Sequence, residues 1–221
     1  MRYLLPILFS LALLVPSLAA AEGGAVRPPQ PGDWCVMESY TEQADGERGV
    51  TRFDRSTLAG MKDHAWLVVE AREPNPGAGE GDDESAAIPP PGKVVYRVVD
   101  GRADVMATLE ASEKGMKFQQ TGATPERMET PTGVFACVKK TYAFTFSMMP
   151  EEEEDDCAIT GEVAIWISDE VPFPGFVRME FEAADMGEKE IVTLRERGHG
   201  PPPAPETLAM LEFEGESLEW E

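Results

Sequence analysis

Six consecutive carboxylates, Glu151 to Asp156, form the densest chemistry-bearing run in the chain. Such a cluster attracts a hard cation such as calcium, but a tight site needs ligands folded around one point, as the spaced oxygens and turn glycine of an EF-hand provide. This run has neither, and it reads as a solvated hairpin tip, the usual fate of a like-charge block. Asp82-Asp83-Glu84 reads the same way. Zinc is not indicated, because there is no CxxC pair and the two histidines, His64 and His199, stand alone. Hydrolytic chemistry has no better footing. The chain contains no G-x-S-x-G elbow and no phosphate-cradling glycine loop. His64 opens an apolar run and His199 sits in a Gly/Pro tail, so neither is placed as a general base. With 41 acidic residues some carboxylates always lie close, so a glycosidase-like pair carries no signal. The chain is therefore expected to be non-catalytic, with no catalytic residue, metal ligand or cofactor assigned.

The apolar inventory points elsewhere. Met106, Leu109, Phe144, Phe146, Trp166, Met179 and Phe181 would supply adaptable lining for a hollow. Methionine in particular moulds to irregular apolar ligands. The competing assignment is plain core, where such residues usually go. Three cysteines, Cys35, Cys137 and Cys157, remain to be placed. Cys137 and Cys157 flank an expected hairpin and form the preferred disulfide, with Cys35 unpaired or competing. All three single pairings stay open from sequence.

Residues 1–21, MRYLLPILFSLALLVPSLAAA, read as a cleavable export signal. Arg2 gives the positive end, Leu4–Val15 the apolar stretch, and Ala19-Ala20-Ala21 the small-residue cleavage pattern. Pro6 and Pro16 interrupt that stretch, which is too short to span a bilayer. The mature chain is thus expected in the periplasm or outside the cell. No cysteine follows directly, so no lipid anchor is expected, and no later segment could cross a membrane. The net charge is −22, from 41 acidic and 19 basic residues. That balance argues against nucleic acid or an anionic membrane surface as partner, since phosphate binding needs clustered Lys and Arg. It is compatible with a basic protein partner or loosely held calcium. A hydrophobic fraction of 42% with ten Phe and four Trp supports a packed core.

Residues 22–32 form a Pro/Gly leader. Trp34, Val36 and Tyr40 alternate in a first strand, Asp45-Gly46 marks a turn, and a short strand over 49–54 pairs back. Residues 64–72 and 93–100 are β-branched runs on either side of an acidic insertion, 73–92. Residues 102–114 are the helix candidate, with Val105, Met106 and Leu109 on one side and Gly115 as a possible cap. Strands follow at 116–121, 134–147, 158–168, 176–183 and 188–197, several with strict alternation such as Tyr142, Phe144 and Phe146. Residues 198–221 are a Pro-rich tail with room for one helical turn. The expected fold is mainly β: a single domain over 33–197, a curved antiparallel sheet of about eight strands paired as a meander, with one short helix on its concave face.

Three segments carry a resemblance. They are Thr130-Pro131-Thr132-Gly133-Val134-Phe135-Ala136-Cys137, Trp166-Ile167-Ser168-Asp169-Glu170-Val171-Pro172 and Gly175-Phe176-Val177. The region 129–194 resembles bacterial exported proteins related to the unclosed β-barrel of LolA/LppX-like envelope carriers. The resemblance implies a half-barrel, a fold more than an activity; together with the alternating strands and the Met and Phe stock it points to an apolar small molecule or lipid, such as an acyl chain, as ligand. Without it, Gly133 serves a turn at positive φ and Val171-Pro172 ends strand pairing, because proline lacks the ladder donor.

Overall fold

The computed structural model describes residues 27–62, 64–75, 90–112, 116–148, 157–184 and 187–211. The export signal, the centre of the acidic insertion, Glu151–Asp156, Gly115 and the end of the tail lie outside the described residues.

Among the described residues ten strands form one antiparallel sheet: β1 (Asp33–Gln43), β2 (Arg52–Lys62), β3 (Ala65–Glu73), β4 (Gly92–Val99), β5 (Arg102–Ala103), β6 (Met116–Thr130), β7 (Gly133–Met148), β8 (Cys157–Ile167), β9 (Phe176–Ala183) and β10 (Glu188–His199). Their lateral order is β5-β4-β3-β2-β1-β10-β9-β8-β7-β6. The sheet curls into a half-barrel. Sequential neighbours pair as in a meander, but two departures set the architecture. The first and last strands pair at the middle of the sheet, Tyr40 opposite Ile191. The chain also leaves one edge at β5 and returns at the other edge, β6, by way of helix α1 (Val105–Ser112). Asp104 opens that helix, its carboxylate accepting the Ala107 N–H at 3.0 Å.

Two strands exceed their sequence expectation. β2 runs through Arg52–Lys62, a polar stretch broken by a bulge near Ala59, so period-2 alternation is lost. β6 runs nine residues past Thr121 through Gly122 and Pro125. An edge strand tolerates a proline because one row of its backbone groups needs no partner. The Asp45-Gly46 and Thr130–Gly133 turns form as expected, with Gly46 at φ 83 and Gly133 at φ 139. The expected helix begins three residues late because Arg102–Ala103 is drawn into pairing with Val98 and Val99.

The inner face of the curl is dry along much of its length. Leu58, Trp66, Val68, Val163, Val177 and Leu194 are essentially inaccessible. One end of the half-barrel is plugged by loop 168–175. Phe173 reaches Trp66 at a ring separation of 6.2 Å, and both it and Val171 are buried. Ser168 fixes the loop by donating its hydroxyl to the Ala136 carbonyl at 2.9 Å. The middle seam is clasped by Asp33, a buried carboxylate bound by Arg27, by the Gln30 N–H at 2.9 Å and by His199 Nδ1 at 2.9 Å. Burial opposes its charge, yet the hydrogen bonds from Arg27, Gln30 and His199 outweigh it and hold the Asp33 pKa below the ordinary carboxylate value. A short helix, α2 (Pro205–Met210), returns along the other side of β2–β4, where Leu208 packs on Ala65, Leu67 and Val95.

The expected Cys137–Cys157 disulfide is corrected by the register of β7 and β8. Cys157 stands opposite Met148, whereas Cys137 stands opposite Glu126 at the far end of β7. Eleven residues of strand separate those ends, about 37 Å at ~3.4 Å per residue, against a bridging limit of about 7 Å between Cα atoms. Cys35 and Cys137 are both free and buried. Flanking a hairpin is not facing across it.

Candidate ligand cavity

Strand β7 positions the site. Register places Lys140 beside Ile165 and Met179, and Tyr142 beside Val163 and Phe181, all on the inner face. From Val138 through Lys140 and Tyr142 to Phe144, that face passes from exposed to half-buried to buried side chains. Helix α1 crosses above it. Toward the helix C-terminal side, Met106, Leu109, Phe144, Met179 and Phe181 pack together with Val163 and Phe118 as closed core. Phe144 stacks on Phe181 at 4.4 Å.

Toward the helix N-terminus the packing opens into a cavity of about 420 Å³. Its floor is Met106, Ile165, Ile167 and Phe176, with Lys140 and Tyr142 among them, and Val138 stands at its mouth. Its rim is Val99, Asp100, Arg102, Asp104 and Asp169, from the β4–β5 turn, the helix start and the plug loop. Arg102 and Asp169 bridge the rim at 2.5 Å. Val99 is 50% exposed and Val138 43%, so the mouth presents apolar surface to solvent. Burial, and secondarily the charge of Asp104, push the Tyr142 phenol pKa upward, as in a poorly hydrated recess.

Of the residues expected to line a hollow, Met106 lines this cavity. Leu109, Phe144, Met179 and Phe181 form the adjoining core, and Phe146 lies further along β7 opposite Met116 and Ile159. Trp166 belongs to neither and is a correction. It pairs with Lys139 and Arg178 on the opposite face of β8 from Ile165. There its ring lies 4.7 Å from the Lys139 ammonium and its indole N–H donates to Glu126 at 3.0 Å. A tryptophan one residue out of phase with an alternating run faces the other way. Sequence reading passed over Lys140 and Tyr142 as site residues. The alternation already seen at Tyr142, Phe144 and Phe146, continued back two positions, places Lys140 on the same face. The rim residues come from loops, where no periodicity announces them.

A second polar locus lies on the inner face of β1–β4. Ser56 and Tyr96 donate to Glu70 at 3.4 and 2.9 Å. Cys35 adjoins them, its thiol pKa pushed up to about 12 by burial, then by the Glu70 charge. Such a thiol stays protonated and is no nucleophile. Among the described residues no group of three or more His, Cys, Asp or Glu could hold a metal ion.

No family model and no curated protein matches the chain. Eight solved chains do. One is a protein from Bacteroides fragilis described as exported, with a YmcC-like fold. It is 15% identical, with a TM-score of 0.47 over 77% of this chain and 97% of its own. Another, from Parabacteroides distasonis, is described as a lipoprotein. It is 17% identical, with a TM-score of 0.48 over 78% and 98%. Likeness at this level transfers neither ligand nor activity. Among the described residues no helix is long and apolar enough to cross a membrane.

Proposed function

We propose that this chain is an exported, non-catalytic binding module that carries an apolar or acyl ligand in the cavity beneath the start of α1. The single observation behind this reading is a recess of about 420 Å³, apolar over much of its floor and polar at its rim, that reaches solvent past two exposed valines. Pockets for one small molecule span about 300–1,000 Å³ and combine an apolar lining with a few polar groups. Elsewhere on the inner face Leu58, Trp66, Val68, Val163, Val177 and Leu194 are packed and essentially inaccessible. Export itself rests on residues 1–21. Burying a chain there would gain about 0.8 kcal/mol per methylene, which makes a ligand of modest length sufficient for stable binding.

An environment-sensitive apolar dye tests the reading. Titration of the mature protein should reach saturation at one site per chain. Ile167→Trp, which fills the floor, should abolish the signal while leaving the β-sheet circular dichroism unchanged. Non-saturating binding, or binding indifferent to that substitution, contradicts it.

A further inference from the structure

We propose that the ligand is a single-chain amphiphile with a carboxylate head, held by the Lys140 ammonium and the Tyr142 hydroxyl, with its chain laid against Met106, Ile165, Ile167 and Phe176. The proposal rests on the apolar-ligand reading and deepens it.

Three observations carry it. First, Lys140 and Tyr142 are two positions apart on the inner face of β7, so both project into one recess. Both are half-buried, and neither has a hydrogen-bond or ion-pair partner among the described residues. An ammonium and a phenol side by side, with no acceptor supplied by the fold, are two donors offered to one anionic group.

Second, of the two cations in the lining only Arg102 has an ion-pair partner among the described residues. Asp169 is paired with Arg102, and Asp104 accepts the Ala107 N–H that starts α1. Asp100 sits in an exposed turn at φ 51. Asp100 and Asp104 keep their negative charges, and that of Asp104 reaches Tyr142, so the lining offers one free cation, Lys140, and no surplus of positive charge. A monoanion pairs with that one cation. A dianionic phosphate would leave excess negative charge facing Asp100, Asp104 and Asp169, at a cost that grows as water is excluded.

Third, the recess is narrow in capacity. At about 420 Å³ it lies low in the range for single small molecules, with closed core along its inner end. One chain fits this shape better than two.

The test compares cis-parinaric acid, its methyl ester and a lysophosphatidic acid on wild type, Lys140→Met and Tyr142→Phe, by probe fluorescence and displacement. The acid should bind wild type about tenfold or more tighter than the ester, the difference expected of one charge-assisted contact. Lys140→Met should erase that preference while leaving ester affinity intact, which also shows that the variant is folded. Tyr142→Phe should weaken the acid several-fold and the ester hardly at all. Equal affinity for acid and ester, or tighter binding of the phosphate amphiphile, overturns the carboxylate assignment and leaves the apolar cavity standing. Failure of all three probes to bind overturns both.

Discussion

The two flanks of the half-barrel share one ladder geometry and differ in what they turn inward. On the β7–β9 flank the inner face is Phe144, Val163, Ile165, Met179 and Phe181, and helix α1 packs onto it. On the β1–β4 flank, beyond Leu58 and Val68, it is Cys35, Ser56, Glu70 and Tyr96, with the Arg72–Asp54 pair in the next row at 3.2 Å. The helix, as the crossover between sheet edges, touches both flanks, and the cavity opens where its apolar packing gives out. Backbone pairing builds the trough. The side chains at alternate positions decide which part of it closes, which part stays polar and which part is left hollow.

That contrast predicts unequal sensitivity to truncation. Phe144→Ala removes a buried ring stacked on Phe181 and should cost about 3–5 kcal/mol in denaturant unfolding. A loss below 1 kcal/mol would mean the apolar flank is loosely packed. At the seam between flanks, Asp33→Asn should cost about 1–3 kcal/mol near neutral pH, since charge-assisted hydrogen bonds to a buried carboxylate are lost. Because the native Asp33 pKa is lowered, its contribution is complete above the ordinary value of 3.8 and disappears as pH falls through the lower native value. Wild type and variant should therefore converge in stability in strong acid. A constant difference across pH would show that the clasp is not ionic. On the polar flank Tyr96→Phe removes one hydrogen bond to Glu70, worth about 0.5–1.5 kcal/mol. The smallest effect concerns Cys35 and Cys137. Both should resist thiol reagents in the folded protein at neutral pH and react on unfolding, because burial raises both thiol pKa values, that of Cys35 to about 12. Rapid labelling of either in the folded state would contradict the closed interior.

Sequence made the β7–β9 flank legible because its inner residues alternate with charged or small outward ones, as in Val177, Met179 and Phe181 against Arg178, Glu180 and Glu182. It underestimated β2 and β6 for the complementary reason. A bulge and a polar inner row remove the alternation from β2, and β6 lies at an edge where neither face must be apolar. Topology was half legible. Turns announce which neighbours pair, but nothing local announces that β1 and β10 meet. The same limit applies to the site. Met106 was visible as an apolar helix residue, and Lys140 lay on a phase that could have been followed. Asp100, Arg102 and Asp169 gather only because the turn, helix start and plug loop converge in space. The polar row of Ser56, Glu70 and Tyr96 is likewise a product of register across three strands.

Native mass spectrometry of the protein recovered from an exporting host bears most directly on the hollow beneath α1. The expected spectrum shows a fraction of chains carrying one added mass, that of a single-chain carboxylic amphiphile, and loses it in Ile167→Trp. Bare chains throughout, together with no uptake when such an amphiphile is supplied, would contradict the proposal that this half-barrel keeps a ligand space open.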